Sequence, residues 1–203
     1  MVNKERFPKK RPIGSYEKLL CEDCDQKIGV YDNYAQSILL GELEFYPEAM
    51  EKAYIIENYD YKKLKLFFIS LLWRSSISKL EEFKLIDVGP FEPRLRELII
   101  GEDLGLDDEF SVFITRFDSR NEKIKFLAEK NILFPAKQKM DGLNYSIFYL
   151  TNGYKIYIKV DKRSSLEIYK KFILKKNKPL VILRIANFEK SQEFKIMCEA
   201  VLK

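Results

Sequence analysis

Apolar residues recur at helical spacing in three parts of the first half of the chain. Between residues 25 and 40 they follow one another every three or four positions, which predicts an amphipathic helix. A longer helix is predicted over 60–78 with Asp60 as its N-cap, and because it is apolar on nearly every side it should lie in the centre of a domain. A third helix is predicted over 92–100, with Pro93 near its start.

The second half of the chain has the alternating pattern of strands. Its clearest signal is a hairpin: strands over 145–150 and 154–160 are joined by Asn152-Gly153, a pair that supplies the positive φ angles of a two-residue type I′ turn. Strands are also predicted at 110–117 and 179–185, and in the first half at 17–20 and 53–56. Further helices are predicted at 120–130, at 164–176 with a capping box from Ser164 to Glu167, and at 191–202.

These elements predict an α+β fold, in which a helical N-terminal half is followed by a small, mainly antiparallel sheet with flanking helices. Residues 1–16 are predicted to be a basic flexible arm, because five Lys or Arg residues accompany three Pro or Gly residues. The rest of the chain is either a helical region over 17–104 and an α+β region over 105–203, or one continuous domain over 17–203.

Composition narrows the chemistry that the chain can perform. The 203 residues contain no His, which excludes His-based acid–base catalysis, Ser–His and Cys–His nucleophiles, HNH-type nuclease chemistry and His-ligated metal sites. Only three Cys residues are present, and no apolar run reaches the roughly 18 residues that span a bilayer. We therefore expect a cytoplasmic protein that does not enter a membrane. The net charge of +5 permits nucleic-acid binding without requiring it.

Charge is unevenly distributed along the chain. Residues 79–109 contain ten acidic and four basic residues, whereas 154–178 contain nine basic and two acidic residues. The basic stretch also contains three tyrosines, and this combination predicts a face that contacts the phosphates of nucleic acid. The candidate contact residues are Lys155, Lys159, Lys162, Arg163, Lys170, Lys171, Lys175 and Lys176, followed by Lys178. The alternatives are an ordinary solvated surface, or two opposite patches that face each other within the fold.

The motif Cys21-Glu22-Asp23-Cys24 has the spacing of half a tetrahedral zinc site. Completing such a site would need Cys198 and a carboxylate, or a second chain, so we expect no cofactor and keep zinc as the alternative. The acidic neighbours of the two thiols disfavour the thiolate form on which redox chemistry depends. The motif is therefore interpreted as a pair of reduced cysteines in a structural turn.

The stretch LLCEDCDQKIGVYDNYA, residues 19–35, resembles the second zinc knuckle and following helix of a family of uncharacterised bacterial proteins related to HNH-type endonucleases. Residues 63–78 and 88–99 resemble two further blocks of that family, in the same order. The resemblance implies an upstream Cys pair and a Ser-His segment that would complete the zinc site and supply the HNH histidine. Neither occurs in this sequence, so we expect a truncated or degenerate member that keeps the scaffold without the metal-centred chemistry.

Arg74 follows Trp73 at the end of the apolar run in the second helix. It could hold a ligand phosphate, but a structural role is the favoured interpretation: an ion pair, with Asp87 and Glu92 as candidate partners, or hydrogen bonds to the carbonyls at the end of the helix. The predicted function is non-catalytic binding or regulation, as a nucleic-acid-contacting accessory of a mobile-element or phage-defence system. One alternative is a protein-interaction module, either a homodimer or a binder of a basic partner. The other is a metal-dependent nuclease with carboxylate ligands, although acid-x-Lys elements occur only as often as chance predicts.

Overall fold

A computed structural model describes residues 17–40 and 53–201 of the chain. Within these ranges the helices are α1 (Glu22–Leu40), α2 (Tyr61–Ile77), α3 (Glu92–Gly101), α4 (Glu122–Lys130), α5 (Glu167–Lys170) and α6 (Gln192–Val201). The strands are β1 (Ala53–Ile56), β2 (Val112–Phe117), β3 (Ala136–Met140), β4 (Leu143–Leu150), β5 (Tyr154–Lys159) and β6 (Leu180–Ile185). The predicted α+β fold is confirmed. The predicted arm over 1–16 lies outside the described residues.

The strands form one six-stranded sheet in the order β1-β6-β2-β5-β4-β3. The pairing of β2 with β6 is parallel, with Ile114 opposite Ile182, and the other pairings are antiparallel. Because β1 pairs with β6, a strand from the N-terminal half of the chain completes the edge of a sheet built mainly from the C-terminal half.

The first three helices cover one face of this sheet. Buried residues of α2, among them Phe68, Ile69 and Leu72, belong to the same apolar cluster as Ile114 of β2 and Ile156 of β5. The expected boundary between 104 and 105 falls between α3 and β2, and this core runs across it. The helices pack there because their apolar stripes need a partner surface, and the alternating strands supply one.

The opposite face of the sheet is covered by later parts of the chain. Phe113, Tyr145 and Tyr157 pack there with Ile173, which belongs to the segment between β5 and β6. At the end of β2, Phe117 packs with side chains from α4 and α6 and with Phe188. Successive residues of a strand point to opposite faces, and nearly every residue of β2 and β5 is buried, so both faces are covered at these central strands.

The structure confirms the predicted cap of α2 and the predicted hairpin, and it shows a hairpin connection one residue longer than expected. Asp60 caps α2, because its carboxylate accepts a hydrogen bond from the Lys63 N–H over 3.0 Å. The hairpin joins β4 to β5, and Asn152 and Gly153 both have positive φ, 61° and 75°. Its connection contains three residues, not two, because Leu150 is paired with Tyr154.

Three local predictions were wrong. Residues 17–20 form no strand, and the polar edge strand β3 was not predicted because AKQKM lacks apolar alternation. The helix predicted over 164–176 is only the single turn Glu167–Lys170. Ser164 is not its cap: the turn follows Leu166, which makes no side-chain cap hydrogen bond, and the intervening Ser165 N–H donates to Asp108 over 2.7 Å. At the other end, Leu174 donates its N–H to the Val112 carbonyl instead of continuing a helix.

Candidate nucleic-acid interface

The basic stretch over 154–178 is divided between β5 and the segment that follows it. We name that segment, residues 160–179, the crossover, because it leads from β5 to β6 past the start of β2. The Leu174 N–H donates to the Val112 carbonyl over 2.7 Å, and the Tyr169 ring stacks on Phe113 with ring centroids 5.6 Å apart. These contacts fix the crossover on the sheet through its apolar residues and leave many of its lysines at the surface.

Five crossover lysines form no ion pair with any residue in the described ranges. Lys162, Lys171, Lys176 and Lys178 are exposed, and Lys175 is half-buried. Ammonium groups in this state keep their hydration and counterions, both of which a phosphate can replace. Three of the five lie within four positions of one another at the end of the crossover, so their positive charge is concentrated there.

Two further crossover residues are held in surface ion pairs. Arg163 makes a two-bonded contact with Asp161 over 2.9 and 2.6 Å, which lowers the pKa of that carboxyl. Lys170 contacts Glu167 over 2.6 Å, one helical turn away. The Lys170 pair is exposed and contributes little to stability, so Lys170 can exchange its carboxylate for a phosphate. The Asp161 side chain is only 6% exposed and also accepts hydrogen bonds from Asn144, so Arg163 is held in its pair.

Lys155 lies inside the molecule, which corrects its assignment as a phosphate contact. Its Nζ is 2.6 Å from Glu193 Oε1, and only 9% of the lysine side chain and 14% of the glutamate side chain are exposed. The Tyr149 hydroxyl donates to the same carboxylate oxygen over 3.1 Å. Burial raises the pKa of Glu193, but the hydrogen bonds from Lys155 and Tyr149 together have the larger effect. The pKa is therefore below its usual value, and the carboxyl remains ionised. This pair joins β5 to α6.

Lys159 is also buried and needs the same correction. Its Nζ lies 2.9 Å from Asp108 Oδ1 and donates to the Arg163 carbonyl over 2.7 Å. Asp108 also accepts hydrogen bonds from the backbone N–H and the hydroxyl of Ser165. Against the effect of burial, these donors lower the pKa of Asp108. The acidic and basic stretches therefore do meet inside the fold at this point, as one of the alternatives anticipated.

A cleft of about 720 Å³ adjoins the lysine-rich end of the crossover. One wall is residues 176–179 and the other is residues 57–62, which lead into the N-terminus of α2. The Tyr59 hydroxyl donates to the Lys175 carbonyl over 2.9 Å and so holds the two walls together. Lys176 and Lys178 place positive charge on one side of the cleft, while Glu57 and Asp60 place carboxylates on the other.

Two tyrosines give this cleft an aromatic component that the sequence did not reveal. Tyr59 and Tyr61 line it and are half-buried, and burial raises the pKa of each to about 12, so both hydroxyls stay protonated and can donate. Lys62 lines the same cleft and pairs with Glu102 over 2.9 Å. These residues are more than a hundred positions in sequence from the lysines at the end of the crossover, and no local spacing connects them.

Arg74 and Trp73 have structural partners, as expected, but one partner differs. Arg74 makes a two-bonded contact with Asp32 of α1, over 2.9 and 2.7 Å, and not with Asp87 or Glu92. Glu92 instead accepts a hydrogen bond from the Trp73 indole N–H over 2.8 Å. The two contacts tie α2 to α1 and to the start of α3.

Most carboxylates of the acidic stretch over 79–109 are engaged within the chain. Arg94 contacts Glu109 over 2.8 Å and Glu97 over 3.5 Å, and Glu102 pairs with both Lys27 and Lys62. Asp87 pairs with Lys137 over 3.1 Å. A surface whose charges are already compensated offers less to a basic partner than the crossover offers to an anion.

No group of three or more Cys, Asp or Glu side chains suited to hold a metal ion occurs among the residues that the structure describes. Cys21 and Cys24 are reduced and exposed at the start of α1, and Cys198 lies apart on α6.

The described helices include none that is both long and apolar enough to cross a membrane.

The chain was compared with models of known protein families, with curated proteins and with solved structures. None of the three comparisons gives a match. The crossover and its cleft, through their geometry and charge, are the features of the described chain that indicate a function.

Proposed function

We propose that this protein binds nucleic acid without cutting it, through the crossover and the adjoining cleft. The observation that carries the proposal is the group of five crossover lysines that form no ion pair with residues 17–40 or 53–201, three of which lie beside a cleft lined by tyrosines. Phosphate contacts by lysines release condensed counterions, which is the main source of affinity when sequence is not read. In keeping with the family resemblance, we propose an accessory role in a mobile-element or phage-defence system.

Single-stranded nucleic acid is the form that suits this surface best. Unstacked bases can enter a cleft and lie on aromatic rings, whereas paired bases cannot reach such a site. Tyr59 and Tyr61 offer ring surface, Tyr61 also offers a hydroxyl donor, and the lysines of the opposite wall can hold the phosphate on the same nucleotide. We therefore expect tighter binding to single strands than to a duplex of equal length.

The test compares two variants that remove the same charge from different surfaces. The interface variant changes Lys171, Lys175, Lys176 and Lys178 to Ala, and the control variant changes Lys123, Lys125, Lys130 and Lys190 to Ala. Binding of fluorescein-labelled single-stranded DNA and RNA is measured by anisotropy at low salt. We expect the interface variant to lose at least about tenfold in affinity and the control to lose less than threefold.

Two outcomes would overturn the proposal. The first is wild-type affinity weaker than about 100 μM at low salt, which is below ordinary non-specific binding. The second is an equal loss in both variants, because binding would then follow net charge and not the crossover.

A further inference from the structure

Cys21 and Cys24 lie together at the N-terminus of α1. The Asp25 N–H donates to the Cys21 carbonyl over 3.0 Å, so Cys21 is the capping residue of a 19-residue helix and Cys24 lies in its first turn. Both thiols are exposed. Side chains three positions apart in a helix have Cβ atoms about 5–6 Å apart, and a disulfide needs roughly 3.5–4.5 Å. A small adjustment of the first turn would therefore bring the two sulfurs into bonding distance.

The two thiols are not equivalent. Hydrogen bonds from the backbone N–H and the thiol of Cys24, with a further one from the Asp23 backbone, lower the pKa of Cys21 and outweigh the negative charge of Asp23. The same thiol–thiol hydrogen bond raises the pKa of Cys24. The sequence suggested that acidic neighbours would suppress thiolate, but the helix N-terminus supplies N–H donors that only the folded chain provides.

A cleft of about 310 Å³ opens beside the two sulfurs. Its lining includes Trp73 and Ile99 as apolar surface and Arg96 as a cation. Arg96 is exposed and forms no ion pair with the residues that the structure describes. Lys27 and Glu92 also line the cleft; Lys27 pairs with Glu102, and Glu92 accepts a hydrogen bond from the Trp73 indole N–H. The lining therefore carries two cations and one carboxylate beside the two sulfurs, and this small positive excess suits a small anionic reactant.

We propose that Cys21 and Cys24 are a redox-active pair that exchanges with low-molecular-weight disulfides. The Cys21 thiolate attacks one sulfur of the disulfide; a mixed disulfide forms, the original sulfur–sulfur bond breaks and the first small thiolate leaves. Cys24 then gives its proton to solvent and attacks the Cys21 sulfur, which forms the intramolecular disulfide and releases the second small thiolate. The chain loses two electrons and two protons, and the small disulfide gains them.

This site is separate from the crossover, and its chemistry does not depend on nucleic-acid binding. Cys21 and Cys24 lie at the start of α1, whereas the crossover connects β5 to β6. Either proposal can therefore fail while the other holds.

The experiment uses the full chain carrying Cys198→Ser, so that only the pair remains, with glutathione disulfide as the probe. After timed incubation, free thiols are alkylated in acid and the protein mass is measured. We expect both thiols to become protected with no glutathione retained. In the Cys24→Ser background the mixed disulfide should accumulate at Cys21, at least about fivefold faster than glutathione is added to Cys24 in the Cys21→Ser background.

Cys21 and Cys24 are exposed, Cys198 is half-buried and Ser differs from Cys by one atom, so these variants should fold; an unchanged circular dichroism spectrum checks that they do. Glutathione retained at both thiols without an intramolecular bond would overturn the proposal. Equal rates for the two single-cysteine chains would also overturn it, because the helix N-terminus would then confer no preference on Cys21.

Discussion

The two parts of the basic stretch over 154–178, β5 and the crossover, differ in the burial and the ion pairing of their lysines. The lysines of β5, Lys155 and Lys159, are almost fully buried and paired with carboxylates, whereas those at the end of the crossover, Lys175, Lys176 and Lys178, form no ion pair within the described ranges. Both parts are rich in lysine, so the local excess of positive charge alone does not separate them.

Backbone geometry explains the difference. Alternate residues of a strand point to the same face of the sheet. Lys155, Tyr157 and Lys159 therefore share the face that α6 and the crossover cover, and each buried ammonium needs a carboxylate. The crossover follows no such alternation, so it can bury Ile173 and Leu174 and leave neighbouring lysines in water. A local excess of charge predicts a binding surface only where the backbone leaves that charge exposed.

The largest expected effect is on the buried pair of β5 and α6. Replacing Glu193 by Ala should lower the free energy of unfolding by about 3–5 kcal/mol, because the Lys155 ammonium would remain buried without its carboxylate. Urea denaturation of the two proteins measures the difference. Adding Lys155→Met to Glu193→Ala should recover part of the loss, since no unpaired charge then remains.

A loss below about 1 kcal/mol for Glu193→Ala would contradict the account of β5. It would mean that the Lys155 ammonium reaches water when Glu193 is removed. Lys155 would then be as able to contact a phosphate as the crossover lysines are.

Lys65 of α2 extends the comparison to a buried lysine whose protonation makes the stability of the protein depend on pH. It is fully buried, donates to the Glu109 and Phe110 carbonyls over 2.7 and 2.8 Å, and burial lowers its pKa to about 7. An unfolded lysine titrates near 10.4, so between about pH 7 and 10 the unfolded state binds the extra proton. Stability should therefore rise with pH across this range, by up to about 1 kcal/mol per pH unit.

The check compares urea denaturation of the wild type and Lys65→Met at pH 7, 8 and 9. Lys65→Met leaves two carbonyls without a donor, which lowers the stability of the variant by a similar amount at every pH. The difference in unfolding free energy between the wild type and the variant should still increase as the pH rises, because only the wild type contains Lys65. A constant difference between the two proteins would show that Lys65 does not titrate in this range.

The smallest stability effect is expected at the crossover. The variant that changes Lys171, Lys175, Lys176 and Lys178 to Ala should differ from the wild type by less than about 1 kcal/mol in unfolding free energy, because these side chains make no ion pairs within the described chain. Urea denaturation measures this directly. A larger loss would mean that the lysines support the fold, and a loss of nucleic-acid binding in the same variant would then no longer identify a contact surface.

The sequence was sufficient for the elements with strong local signals. The Asp60 cap, the periodic faces of α1 and α2, and the positive φ of Asn152 and Gly153 each depend on residues close together in the chain. It was insufficient where a distant partner decided the outcome. Ser164 does not cap a helix, because its neighbour Ser165 binds Asp108 and the short turn starts only after Leu166, and β3 is recognisable as a strand only through its pairing with β4.

The candidate site shows the same limit. The exposed lysines of the crossover could be predicted because they are a local excess of charge. The burial of Lys155 and Lys159 could not, since Glu193 and Asp108 approach from 38 and about 50 positions away. Nor could the contribution of Tyr59 and Tyr61, which reach the crossover only through the packing of α2 against the sheet.

The most direct test of the central claim is the salt dependence of single-stranded nucleic-acid binding. In a plot of log affinity against log salt concentration, each phosphate contact contributes about 0.7 to the magnitude of the slope for a single strand. If all four substituted lysines contact phosphate, the interface variant should have a slope smaller by about 3 than that of the wild type, and the Lys123, Lys125, Lys130 and Lys190 control should keep the wild-type slope. Equal slopes for the wild type and the interface variant would contradict the account.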